Sequence, residues 1–190
     1  MSDLSPTTAD FTGHISHRLS KPLVLVGMMG SGKSHAGSLL ASALSLEHYD
    51  SDKLIEKDRG RTISDIFSQD GEAAFRALER QKILHLLSSG PCVISTGGGC
   101  VTVPDILSAI RAQAVSVWLR ADIDVLYERL KRSKNRPLMD CEDPKERLKT
   151  LMAQREALYA QADLIVDDPQ AGIDGLVYAV LKALDGYLDR

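Results

Sequence analysis

The chain has 190 residues, 44% of them hydrophobic and 26% charged, with a formal net charge of −3. That profile fits an ordinary globular domain long enough to bury a substantial core. A slightly acidic balance speaks against a nucleic-acid or membrane-surface partner, since both call for a basic face, but leaves room for small anions held by a few placed cations. Cys92, Cys100 and Cys141 are an odd count without metal-ligand spacing, so they read as reduced thiols of a cytoplasmic protein. No apolar run reaches the ~18 residues of a spanning helix. A monomer is the expectation.

In chain order, residues 1–20 come first. Ser, Thr and Pro dominate their first ten positions, and they lack the basic start and apolar centre of a signal peptide. They are expected to be a mobile tail ahead of one domain at 21–190. Residues 23–26 form an apolar strand, followed directly by Gly27-Met28-Met29-Gly30-Ser31-Gly32-Lys33-Ser34. This matches G-x-x-x-x-G-K-[ST] between a strand and a helix. The glycines let successive N–H groups turn inward on an anion, and the helix adds its positive end. Lys33 then reaches a transferring phosphate and the Ser34 hydroxyl holds Mg²⁺.

A weaker strand at 46–49 leads into Asp50-Ser51-Asp52, and one at 92–94 leads towards Gly97-Gly98-Gly99. Further strands are predicted at 115–119 and 164–166, with helical periodicity between them. Strands alternating with helices imply a parallel sheet covered on both faces, with ligands at the carboxyl ends of its strands. Either aspartate suits water-mediated contact to Mg²⁺ or the orienting of a hydroxyl, and Asp50 or Ser51 also suits a helix cap. The three glycines read as a close approach of ligand to backbone or as a plain turn.

Three arginines stand out. On a helix over 144–160, Arg155 falls within the apolar stripe of Leu148, Leu151, Met152, Leu158 and Tyr159. It either snorkels along apolar surface or awaits an anion. Arg76 has Glu72 four residues before it, an ordinary surface pair. Arg136 precedes Pro137 in a basic stretch, which reads as a solvated loop or as a lid bringing an arginine to the phosphates. One nucleotide site, a carboxylate pair and several arginines suit an acceptor with both a hydroxyl and an anionic group.

With these features in order, the chain resembles the shikimate kinases from about residue 21 to its end. DSDKLIE (50–56), RTISDIF (61–67), DGEAAFR (70–76), STGGGCV (95–101), NRPLM (135–139) and QREALY (154–159) carry the resemblance. It implies a three-layer α/β phosphate-loop kinase fold with a five-stranded parallel sheet, a helical substrate subdomain near 51–80 and a lid near 131–141. The implied reaction is ATP plus shikimate giving shikimate 3-phosphate and ADP, with Mg²⁺. Asp52 would bond the attacking hydroxyl, Arg76 and Arg155 would clamp the shikimate carboxylate, and Gly97, Gly98 and Gly99 would line its ring. Gly30, Ser31, Gly32, Lys33, Ser34 and His35 would hold the nucleotide phosphates, although threonine is common where His35 stands. Arg136 would meet the phosphates from the lid, Arg129 would pack over the adenine, and Ser34 and Asp50 would govern the metal. A gluconate-type kinase of the same fold and a non-catalytic nucleotide-binding module are the alternatives. The triple glycine with its arginines speaks against the first, and the intact lysine and aspartates against the second.

Overall fold

Five short strands form the centre of the protein: β1 (Leu23–Val26), β2 (His48–Asp50), β3 (Val93–Ser95), β4 (Val115–Arg120) and β5 (Leu164–Asp167). They pair in the order β2-β3-β1-β4-β5, and every pairing is parallel. β1 is buried at all four positions, as a central parallel strand covered on both faces must be. The strands expected at 46–49 and 92–94 are present with boundaries shifted by one or two residues. The computed structural model describes residues 8–132 and 142–189. Residues 133–141, which include Arg136 and most of the expected lid, lie outside the described residues.

Alternation along β1 divides the interior into two cores. Val24 and Val26 face one core with Ile94, Trp118 and Tyr159, and Leu23 and Leu25 face the other with Leu40, Val117 and Val180. The first core is covered by α4 (Ile63–Leu87), α5 (Pro104–Gln113), α6 (Ile123–Lys131) and α7 (Pro144–Tyr159). The second is covered by α1 (Thr8–Arg18), α2 (Lys33–Leu44) and α8 (Gly172–Leu188). The result is the three-layer α/β arrangement that the sequence implies.

One expectation needs correcting. Residues from Thr8 on are not a mobile tail. Phe11, Ile15 and Leu19 recur at intervals of four, which puts them on one helical face, and Ile15 is fully buried among α2 and α8 residues. Ser16 donates from its hydroxyl to Leu44 O at 2.8 Å, and Arg18 pairs with Asp189. Burial of the apolar face outweighs the polar composition that suggested disorder.

The helical subdomain consists of α3 (Ser51–Arg59) and the first part of α4. A reciprocal capping box between Thr62 and Asp65 starts α4. Gly71, with φ of 83°, breaks it after two turns and re-aims the chain so that Phe75 folds back onto Ile55 and Ile66. These three side chains form a small core separate from the two flanking the sheet.

Candidate active site

The phosphate loop joins β1 to α2. Gly27 has φ of 140°, and a β-carbon there would stand 2.7 Å from Leu119 O, so neither conformation nor space admits another residue. α2 opens without an acidic residue in its first turn and without a side-chain cap, which leaves its positive end facing the loop. Lys33 is buried. Its Nζ donates to Gly27 O and Met28 O, both at 2.8 Å, so the ammonium lies across the loop it serves. Ser31 is buried within the loop, while Ser34 and His35 stand exposed on the first turn of α2. Ser95, at the end of β3, donates to Lys33 O at 2.9 Å and lies 3.0 Å from His48 Nε2. The sheet thus fixes the backbone of the lysine as well as the strand before it.

Facing this loop, β2 delivers three residues with three different jobs. Asp50 caps α3, accepting from Lys53 N at 3.2 Å. The cap reading of the sequence is therefore correct for Asp50, and only part of that carboxylate is left for other work. Ser51 is buried and accepts from Gly97 N at 3.3 Å, tying α3 to the glycine loop. Asp52 turns inward, and its Oδ1 is buried without a hydrogen-bond partner among the described residues. Burial, then the charge of Asp50, pushes Asp52 up to about 6, against the pull of Lys33.

The three glycines after β3 each lie against a different part of this site. A β-carbon on Gly97 would stand 2.7 Å from Glu79 Oε1 and 2.8 Å from Asp52 Oδ1. One on Gly98 would press on Met29 N and Gly27 O of the phosphate loop, at 3.2 and 3.4 Å. One on Gly99 would run into the guanidinium of Arg76. Close approach, not turn geometry, is what the triple glycine serves.

Arg76 reaches the glycines from α4. Its Nη1 pairs with Glu79 Oε2 at 2.6 Å and its Nη2 with Glu72 Oε1 at 3.2 Å. Glu72 is exposed, as a surface partner should be, but the side chain of Glu79 has no exposure at all. Sequence reasoning missed Glu79, although a signal was available. It lies one turn from Phe75 and one turn from Ile83 on the buried stripe of α4, the same kind of misplaced charge that singled out Arg155. Burial pushes Glu79 up to about 7, with Arg76 pulling it down and Asp52 adding to the rise.

Arg155 comes from α7 and donates through Nη1 to Gly98 O at 3.2 Å. Tyr159, one turn on, donates to the same carbonyl and stacks on Trp118 with ring centroids 5.7 Å apart. The sequence placed Tyr159 in the apolar stripe and gave no hint of its hydroxyl's task. Arg129, from α6, pairs with Asp168 at 2.6 Å and lies 3.5 Å from Gly30 O. It stands beside the phosphate loop and the 167–170 segment, and Asp168 is a partner that the sequence did not point to.

The structure therefore brings together Lys33, Asp52, Arg76, Gly97, Gly98, Gly99 and Arg155, with Arg129 at the outer edge of the loop. For a divalent cation, Ser34 and Asp50 offer a hydroxyl and a carboxylate, the hard oxygen donors that suit Mg²⁺.

A phosphate cradle at the carboxyl edge of a parallel sheet, facing an inward carboxylate and paired arginines, defines a phosphate-loop kinase. The shikimate kinase family model matches residues 29–185. A shikimate kinase of Cereibacter sphaeroides is 45% identical over 167 residues, covering 88% of this chain and 84% of that protein. The structure of a shikimate kinase from Acinetobacter baumannii in complex with shikimate superposes with a TM-score of 0.82 at 34% identity, covering 85% of this chain and 91% of the other. A gluconokinase from Sinorhizobium meliloti superposes at 0.58 with 20% identity over 89% and 94% of the two chains, a likeness of fold alone. The chain belongs to the shikimate kinase family.

Proposed function

We infer that this chain carries out its family's reaction, moving the γ-phosphoryl group of ATP onto the 3-hydroxyl of shikimate, and that the residues gathered above carry it. The observation that supports this most is the facing of two groups across the glycine loop. On one side Asp52 holds a buried oxygen without a donor, and on the other Arg76 and Arg155 converge on Gly99 and Gly98. An acceptor bearing a hydroxyl and a carboxylate answers both.

The acceptor's carboxylate takes the forks of Arg76 and Arg155, whose planar guanidinia suit two-point contact. That contact orients the ring over the glycines, where no side chain intervenes, and presents the hydroxyl to Asp52 Oδ1. Asp52 accepts the hydroxyl proton as a hydrogen bond and aims the oxygen at the phosphate loop. Lys33 leaves the Gly27 and Met28 carbonyls for the transferring phosphate and stabilises the charge developing there. The amides of Gly30, Ser31 and Gly32 and the first turn of α2, with Ser34 and His35, hold the remaining phosphates. Ser34 and Asp50 would hold Mg²⁺, which when bound neutralises charge between the β- and γ-phosphates. Arg129 packs at the adenine edge, and the role of meeting the phosphates is assigned to Arg136, which lies outside the described residues. Among the described residues no helix is long and apolar enough to cross a membrane. The working form proposed is a cytoplasmic monomer.

An ADP-release assay with shikimate, gluconate, nucleoside monophosphates or no acceptor tests the reading. Turnover should require shikimate. Equal turnover with gluconate, or release that ignores the acceptor, would overturn it.

A further inference from the structure

Glu79 is used by nothing above except its contact to Arg76. It sits on α4 with no exposed surface, and among the described residues only its Oε2 has a partner. Its other oxygen, Oε1, is buried, lacks a donor and stands beside the same point above Gly97 as the donor-less Oδ1 of Asp52. Two buried carboxylate oxygens that share one small space and find no N–H or O–H are an unstable pair while both residues are charged.

The charged and titratable groups around Glu79 are few. Arg76 is on its own helix, Asp52 comes from α3 and Arg155 from α7, while Cys100 closes the space from the 3-10 turn at Cys100–Thr102. Burial pushes the Cys100 thiol up to about 12, so Cys100 stays neutral and supplies no counter-charge. Among the described residues, Arg76 and Arg155 face these two carboxylates, Lys33 pulls on Asp52 from the phosphate loop, and the exposed Glu72 shares Arg76. Docking an acceptor carboxylate on those arginines brings a third negative charge into the same space and expels water from it. Coulomb repulsion acts hardest on Glu79, which has no exposed surface for solvent to screen and whose arginine the acceptor comes to share.

We propose that Glu79 takes up a proton from solvent when the acceptor docks and, as the neutral acid, donates from Oε1 towards Asp52. The proton returns to solvent when the phosphorylated product leaves. Neutral Glu79 still accepts from Arg76 through Oε2, so the arginine keeps its place while sharing its charge with the acceptor. Asp52 Oδ1 then accepts from Glu79 on one lone pair and from the acceptor hydroxyl on the other, and Asp52 retains the charge that orients the hydroxyl. Glu79 is thus a positioning residue that acts through Arg76 and Asp52. This rests on the acceptor site proposed above.

The test is calorimetric titration of shikimate into the full chain at pH 8, in buffers of low and high ionisation enthalpy. Wild type should take up close to one proton per acceptor bound, and its shikimate Kd should rise up to about tenfold per pH unit from pH 7.5 to 8.5. Glu79→Gln, which copies the neutral acid, should bind shikimate with no proton uptake and with a flat pH profile. A purely structural role would instead weaken binding in Glu79→Gln and leave its pH profile like that of wild type, which overturns the proposal. Shikimate binding by wild type with no proton uptake overturns it too, while leaving the acceptor site intact. No shikimate binding by wild type overturns the acceptor site itself, and this proposal with it. Should Glu79→Gln fold poorly, infrared difference spectra of wild type decide. A protonated carboxyl band that appears with shikimate supports the proposal, and its absence overturns it.

Discussion

The two halves of the site are built in opposite ways. The phosphate loop is eight consecutive residues closed largely on their own backbone, with Lys33 resting on Gly27 O and Met28 O and the buried Ser31 hydroxyl alone left without a partner among the described residues. The acceptor half is assembled from α3, α4, α7 and the glycine loop, and it keeps two buried carboxylate oxygens without donors. A backbone cradle needs glycine and a helix end, and it serves any nucleotide phosphate. Discrimination of the acceptor needs side chains held at a cost until the right ligand satisfies them. Damage to the two halves should therefore differ in kind, with loss of transfer alone on one side and exchange of stability for function on the other.

The sharpest way to break the contrast is Lys33→Met. It should lower kcat by about 10³-fold, the order expected for losing a charge aimed at the transferring group. The melting temperature should stay near wild type, because methionine fills the buried seat of the lysine's apolar stem. A folded variant with near-normal ADP release would remove Lys33 from the reaction.

Asp52→Asn should reduce kcat by about 10²-fold or more, with little change in nucleotide affinity. Its stability should move the other way. An acid whose folded pKa is raised, here from 3.8 to about 6, holds its proton more tightly folded than unfolded. Its contribution is therefore fullest below about pH 4 and is lost as pH climbs through 6. The asparagine variant escapes that loss, so urea unfolding should show it gaining about 1–3 kcal/mol on wild type between pH 4 and 8. A constant difference across that range would show that Asp52 is not held against its charge.

Arg155→Ala tests the acceptor half from the other side. Shikimate affinity should fall by on the order of 2 kcal/mol with ATP affinity unchanged, and Arg155→Lys should recover only part, because the fork is lost. If Arg155 merely covers apolar surface, the melting temperature falls and the shikimate KM stays put.

The mildest change is Tyr159→Phe. Gly98 O keeps Arg155 as a donor, so stability should drop by only about 1 kcal/mol. A loss several times larger in chemical denaturation would mean that the hydroxyl, and not the stacked ring, anchors α7 to the glycine loop.

Legibility followed the same division. The phosphate loop was readable to the residue because its chemistry is contiguous, and the strands other than β2 were readable because each is a short, largely apolar run. Asp52 was found from its place after a strand end, and Arg155 as a charge out of place. Glu79 was not, although it breaks the pattern of α4 just as Arg155 breaks that of α7. Its salt bridge lies three residues away on the same helix, and an i, i+3 pair reads as surface until burial is known. Asp168 and the Tyr159 hydroxyl depend on partners more than 35 residues distant, which no local pattern reports. The N-terminal helix was missed because composition was weighed over the four-residue spacing of Phe11, Ile15 and Leu19.

That helix has a consequence for how the chain is made. α1 is the first described element, yet its apolar face is closed by α2 and by α8, the last, with Arg18 reaching Asp189. On a ribosome, α1 waits through the synthesis of the whole sheet with Ile15 and Leu19 uncovered. Its seat is complete only when Leu181 and Leu184 emerge. Completion of the second core is thereby deferred until α8 has been made, and the apolar stripe of α1 lacks part of its cover until then.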